Sequence, residues 1–381
     1  YECVPMRFIK HVYKIHTYAQ DGRLFEGKTP VSAFLNSSYD GSFIAGLMEL
    51  RYIQSLPVER IINYFESHGF TLKKPTAHKL MEKASSLFEN LYKCIRQTAL
   101  SDPYKAADET YYKILVPEKN SKGKGVRKGY LWVVVGINTR MIYLLYDDGS
   151  RSEKVILNEL GGCKGIIQSD GYSPYRKLES DAYPHITRIP CLQHIKRKFI
   201  DCGEDDPDAK RIVEMINTLY QNEHKHKIGV DGWTVEQNLV HRKKYAPDIL
   251  GEIKDVLDDI EERGDLLPKS ELKEAITYLR NEWNAVVDIF NYGDTYLDNN
   301  IVERMNRYIS LSRKNSLFFG SHKRAERGAI LYTIALTCRM NKVNLFEYLT
   351  DVINRTAEWQ PNTPLEKYRQ LLPDRWEKAN D

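Results

Sequence analysis

No stretch of this chain stays apolar for long. The longest runs, such as Leu131–Val135, fall far short of the roughly 20 residues that cross a bilayer, and no signal-peptide pattern opens the sequence. A membrane-spanning reading is excluded on that ground. Cysteine is scarce: the six, at positions 3, 94, 163, 191, 202 and 338, are scattered with no CxxC pair. That spacing argues against a disulfide framework or a zinc ribbon and for a reducing compartment, the cytoplasm. Net charge is almost absent, +4 over 381 residues, so only local clusters of charge can speak for a polyanionic partner. A starting methionine is missing too, and the opening at Tyr1 is read as a sign of an upstream segment.

What is present divides the chain into units, two to four at about 100–200 residues each. Residues 1–40 mix short β-like runs, such as Arg7–Tyr13, with Gly and polar residues. The pattern then turns helical over 41–100. One helix is expected over Phe43–Ile53 and a second from Pro57 to His68, closed by Gly69. A third runs from about Thr76 with Leu80, Ala84, Leu87 and Leu91 on one face. Helix, short turn, helix is the plan of a DNA-reading module, and Lys73, Lys74, His78, Lys79 and Lys83 fall where a recognition helix would meet DNA. The same lysines also suit the solvated face of a plain helical bundle.

After Pro103 the period changes. Ala106–Ile114, Tyr130–Ile137, Met141–Tyr146, Gly165–Gln168 and Ile186–Leu192 are short, β-branched and aromatic, which predicts five strands of one sheet covered by helices within 101–200. Lys119–Lys128, rich in Gly and Lys, is expected to be a mobile turn. Stripes at Ile212, Ile216 and Leu219, at Ile249, Ile253, Val256 and Ile260, and at Leu272, Ile276, Leu279 and Trp283 predict an all-helical insertion over 201–292. The α/β core resumes over 293–342, with an apolar helix at Ala329–Met340, and 343–381 reads as a polar tail.

Chemistry concentrates on three carboxylates. Asp108 lies inside the first predicted strand, and Asp170 ends the fourth in QSDGY, where Gly171 lets the chain turn sharply. Glu303 sits near the start of a helix that Asn299 or Asn300 can cap, at the edge of a basic field. From Arg304 to Arg324 there are six Lys or Arg residues and no Asp or Glu. The ordinary explanation of Glu303 is a capping box with Asn300 and a pair with Arg307. Glu109, next along the strand, points to the opposite face and is left out of the set. Cys191, His194 and Cys202 invite a zinc reading, which lacks a fourth ligand at ordinary spacing.

Taken together, ADET around Asp108, QSDGY around Asp170, CLQHIKRKF over Cys191–Phe199, and DNNIVERMNR with RKNSLFFGS over Asp298–Ser321 resemble the DDE transposases of the insertion sequence 66 family. The resemblance runs over nearly the whole chain in one order. It implies a ribonuclease-H-like mixed sheet flanked by helices, interrupted by the helical insertion and preceded by the helix-turn-helix-like module. It also implies that Asp108, Asp170 and Glu303 bind two Mg2+ ions, with Mn2+ as a substitute and Asp108 between the two, for cutting and joining DNA. Arg304, Arg307, Arg313 and Lys314 would grip the backbone there, and Lys196 and Arg197 nearby. Partners so implied are transposon-end and target DNA, a homodimer or larger assembly on DNA, and small accessory proteins of the same element. The location is then the bacterial cytoplasm, at the nucleoid, with no membrane. The family's cysteine-rich zinc segment has no counterpart here, since His11–Gly22 contains no cysteine. A nuclease of the same fold without strand joining, a non-catalytic DNA-binding derivative and a helical scaffold are the rival expectations.

Overall fold

The computed structural model describes all residues except 3–4, 28–31, 35–36, 120–122, 124, 361 and 379–381, so Cys3 and four of the ten residues of the Gly/Lys-rich turn lie outside the described residues. The chain opens on an exposed hairpin, β1 (Thr17–Gln20) with β2 (Arg23–Glu26), turned by Asp21 and Gly22 at positive φ. Arg7–Tyr13, expected to be β-like, forms no strand. Four helices follow: α1 (Gly41–Tyr52), α2 (Val58–Ser67), α3 (Lys74–Leu87) and α4 (Glu89–Ser101). Asp40 caps α1 by accepting from the Phe43 amide, and Gly69 takes the left-handed conformation that ends α2. The expected third helix is in fact two. The backbone turns at the fully buried Phe88, so Leu91 belongs to α4 and the single stripe is broken.

The sheet comprises β3 (Tyr104–Leu115), β4 (Val126–Gly136), β5 (Met141–Leu145), β6 (Gly165–Ser169) and β7 (Ile186–Pro190), in the order β5-β4-β3-β6-β7. β3, β4 and β5 are antiparallel, and β6 and β7 run parallel to β3. Trp132 to Val135 are all buried because helices cover both faces, which is why their sequence does not alternate. Within the sheet's connections lie α5 (Glu153–Leu160) and the short α6 (Ser173–Arg176), and α7 (Leu192–Ile200) leaves the end of β7.

Three helices follow where an all-helical insertion is expected: α8 (Pro207–Glu223), α9 (Val235–Glu262) and α10 (Glu271–Ile289). It shares one hydrophobic core with α7 and with Tyr104, Ile166 and Ile189 of the sheet, whereas α1–α4 share a second core with the rest of the sheet. α11 (Asn300–Asn315) and α12 (His322–Met340) bring the chain back across the sheet. α13 (Leu345–Thr356) corrects the expectation of a polar tail: Leu345, Tyr348, Leu349, Val352 and Ile353 bury into the same core as α1 and α12. The short α14 (Leu365–Arg369) packs beside α4. No described helix is long and apolar enough to cross a membrane.

Candidate active site

Register brings the first two carboxylates together. β3 pairs with β6 at Ala106 and Gln168, and β6 with β7 at Ser169 and Pro190. Carried one or two residues further, these pairings set Asp108, Asp170 and Cys191 at one level across three neighbouring strands, spaced by about 4.8 Å from strand to strand. Burial, then the charges of Glu109 and Asp170, push the Asp108 carboxyl up to about 8. Neighbouring carboxylates in a low-dielectric corner cannot all ionise cheaply without a cation.

α11 then lies across this row. The Asn299 amide donates to Cys191 Sγ at 3.3 Å, its side-chain Nδ2 donates to the Ala107 carbonyl at 3.0 Å, and Asn306 Nδ2 donates to Asp108 Oδ2 at 2.6 Å. At 100° per residue, Asn299, Glu303 and Asn306 fall within about 60° of one helix face. Glu303 therefore stands on the side of α11 that touches β3 at Ala107 and Asp108 and the residue after β7, Cys191. The capping explanation does not hold: the Asn299 side chain makes no cap bond, and among the described residues neither Asn300 nor Arg307 pairs with Glu303. Among the described residues, the one basic side chain within 4.0 Å of it is His194, with Nε2 3.8 Å from Oε1.

The residues around Asp170 are braced from the insertion. Tyr278 of α10 accepts the Gly171 amide at 2.9 Å, and the Asp170 side chain accepts the Tyr172 amide at 3.1 Å. Gly171 is required for space rather than for a left-handed turn: an added Cβ would sit 2.5 Å from the Tyr278 hydroxyl. Arg188 of β7 donates to the Asp170 carbonyl at 3.2 Å and is itself paired with Glu282 of α10. Glu109 is engaged elsewhere, accepting from Arg151 and from the Tyr175 hydroxyl.

Four of the seven buried side-chain polar atoms without a hydrogen-bond partner, among the described residues, belong to this corner: His194 Nδ1, Asn299 Oδ1, Glu303 Oε1 and Asn306 Oδ1. Orphaned buried atoms are costly, and a cluster of them marks a place where a ligand is expected. The carboxylate and amide oxygens are hard donors of the kind Mg2+ takes. Cys191 is a poor candidate for such a cation, because burial pushes its thiol up to about 12. Cys202 of the zinc reading is not with the pair. Among the described residues, the one group of three such side chains with ligand atoms all within 4.8 Å of one another is Cys191, His194 and Glu303, and it includes neither Asp108 nor Asp170.

The basic residues separate into free and engaged. Arg304 and Arg307 are exposed and, with Glu303, Tyr220 and Tyr296, line a cleft of about 470 Å³ between α8 and the start of α11. Lys314, Lys73, Lys79 and Arg197 are exposed, and Lys196 is half-buried. Arg313 is turned back onto β3, stacked 4.0 Å from the Tyr111 ring centre and donating to the Tyr111 carbonyl. Lys74 is paired with Glu59 of α2, and Lys83 lies over Phe34. Sequence pattern alone does not join Asn299, Asn306, Tyr278 and His194 into one site. The local signal is a polar Asn306 inside the buried stripe Val302, Asn306, Ile309.

The model of the family described as "Transposase IS66 family" matches residues 36–327. Three proteins of Sinorhizobium fredii (strain NBRC 101917 / NGR234) are similar over most of the chain. Uncharacterized protein y4jD is 25% identical over 87% of this chain and 65% of its own length. Uncharacterized protein y4hP is 24% identical over 100% and 70%, and uncharacterized protein y4qI 26% identical over 96% and 69%. The chain thus spans about two thirds of the length of these relatives.

Proposed function

The chain belongs to the IS66 transposase family, and from that membership we propose that Asp108, Asp170 and Glu303 are the acidic centre of a DNA transposase that cuts and joins strands at transposon ends. Transposition acts on DNA, and the family's phosphodiester chemistry generally depends on divalent cations. The five-stranded order, three antiparallel strands continued by two parallel ones, supports a ribonuclease-H-like core. The single observation that carries the triad is the set of orphaned buried oxygens that α11 closes over the Asp108–Asp170 edge.

In this reading Asp108, Asp170 and Glu303 hold the cations. Two Mg2+ ions, or Mn2+ in their place, would supply charge neutralisation at the scissile phosphate and a lowered pKa for the attacking water or hydroxyl. The protein's part is placement. Asn306 fixes one oxygen of Asp108, the Gly171–Tyr278 contact fixes the turn that carries Asp170, and Arg304 and Arg307 meet the backbone phosphates entering the cleft. With water as nucleophile a P–O bond forms as the strand's own P–O bond breaks. With a DNA 3′-hydroxyl, one phosphodiester forms as another opens. End recognition falls to the helices over 41–100, whose exposed Lys73 and Lys79 would face DNA, and synapsis of two ends calls for a dimer or larger assembly at the nucleoid.

Asp170→Asn and Glu303→Gln proteins are expected to bind end DNA like the wild type and to lose metal-dependent cleavage and joining by on the order of 10³-fold, as when a charge-stabilising group is removed from an active site. Retained cleavage by either variant removes that residue from the chemistry. Nicked DNA without joined product assigns the chain to a nuclease instead.

A further inference from the structure

His194 is held in place by the fold yet left without a partner. It sits in the first turn of α7, directly after β7, and its backbone amide donates to the Cys191 carbonyl at 3.1 Å. Cys191 in turn anchors the start of α11 through the Asn299 amide. The imidazole and Glu303 are thereby fixed from two different helices onto one spot, with Cys191 Sγ, a His194 ring nitrogen and a Glu303 oxygen all within 4.8 Å of one another. At 3.8 Å the His194 Nε2 to Glu303 Oε1 distance is too long for a hydrogen bond, and both His194 Nδ1 and Glu303 Oε1 are sealed from solvent with nothing to bond. Such a pair is poised rather than satisfied. A shift of less than 1 Å closes it.

We propose that His194 is the positioning residue for Glu303: its Nε2–H donates to Glu303 Oε1 and turns the other carboxylate oxygen toward a bound cation. Metal-ligating carboxylates are oriented by such outer partners, whose loss costs 10- to 100-fold in metal affinity. Among the described residues no other side chain bonds Glu303, since Asn306 is spent on Asp108 and Arg307 faces the cleft. The inference rests on the reading of Glu303 as a cation ligand.

The test is calorimetric titration of Mn2+ into the complex with end DNA, for wild type, His194→Asn, His194→Gln and Glu303→Gln, with melting temperatures measured alongside. A glutamine amide can reach where Nε2 lies and an asparagine cannot. His194→Asn is therefore expected to bind Mn2+ about 10- to 100-fold more weakly, His194→Gln within a few-fold of wild type, with melting temperatures unchanged. Equal weakening by both, or wild-type affinity in His194→Asn beside weak binding in Glu303→Gln, overturns the positioning role alone. Wild-type affinity in Glu303→Gln, or no Mn2+ binding by the wild type, overturns the reading beneath it as well.

Discussion

Two partly buried carboxylates of this molecule, Glu223 and Asp108, are finished differently. In the insertion, Glu223 receives Arg242 on both oxygens, together with the Tyr245 hydroxyl and Asn238. Arg242 spends its remaining donors on Ile289, Tyr292 and Thr295. Burial alone would raise the Glu223 carboxyl, yet the guanidinium holds it below its ordinary value. In the central strand, among the described residues, no cationic side chain bonds Asp108, whose carboxyl goes up instead, and four polar atoms near it lack partners. A closed network of this kind is architecture, and an open one is a place prepared for something the chain does not itself contain.

The contrast breaks first at Asp108. Burial, then Glu109 and Asp170, raise its carboxyl from 3.8 to about 8, so the folded chain holds a proton there that the unfolded chain has released. Stability without a cation is then fully present below about pH 4 and is lost as pH rises through about 8. Asp108→Asn is expected to abolish cleavage while stabilising the cation-free protein by a few kcal/mol at pH 8 and flattening this pH dependence, as read by urea denaturation. A fall in stability would place Asp108 with the closed networks.

The opposite change belongs to Arg242. Arg242→Met leaves Glu223 buried without its counter-charge and is expected to cost about 3–5 kcal/mol in unfolding free energy. Cleavage per folded molecule should be kept.

Between the two lies Gly171→Ala, which drives a methyl against the Tyr278 ring and is expected to cost about 1–3 kcal/mol. Its cleavage defect should be relieved in part by Tyr278→Ala in the same chain. The smallest effect is at the rim: Arg304→Ala and Arg307→Ala should each flatten the salt dependence of DNA binding by about one phosphate's worth of counterion release, a slope change near 0.9. An unchanged slope would remove them from the DNA path.

The sequence shows the sheet plainly, because runs such as Tyr130–Ile137 are too β-branched and too evenly apolar for anything but a strand covered on both faces. The three helices of the insertion are equally legible in their stripes. The break at Phe88 is not, since no Gly or Pro marks it and only tertiary packing around the ring sets it. Nor could local pattern show why position 171 must be glycine. The reason is a tyrosine 107 residues away. Asn299 reads as a helix cap until β3 is seen beneath it.

That distant tyrosine makes the insertion a lever as well as a decoration. Tyr278 and Glu282 stand one turn apart on α10, one touching Gly171 and the other clamping Arg188, which holds the Asp170 carbonyl. Whatever pries this helix from the last strand draws away the second aspartate's footing. A helix some thirty ångströms long, by the rise of its 19 residues, is thereby given mechanical authority over a single side chain.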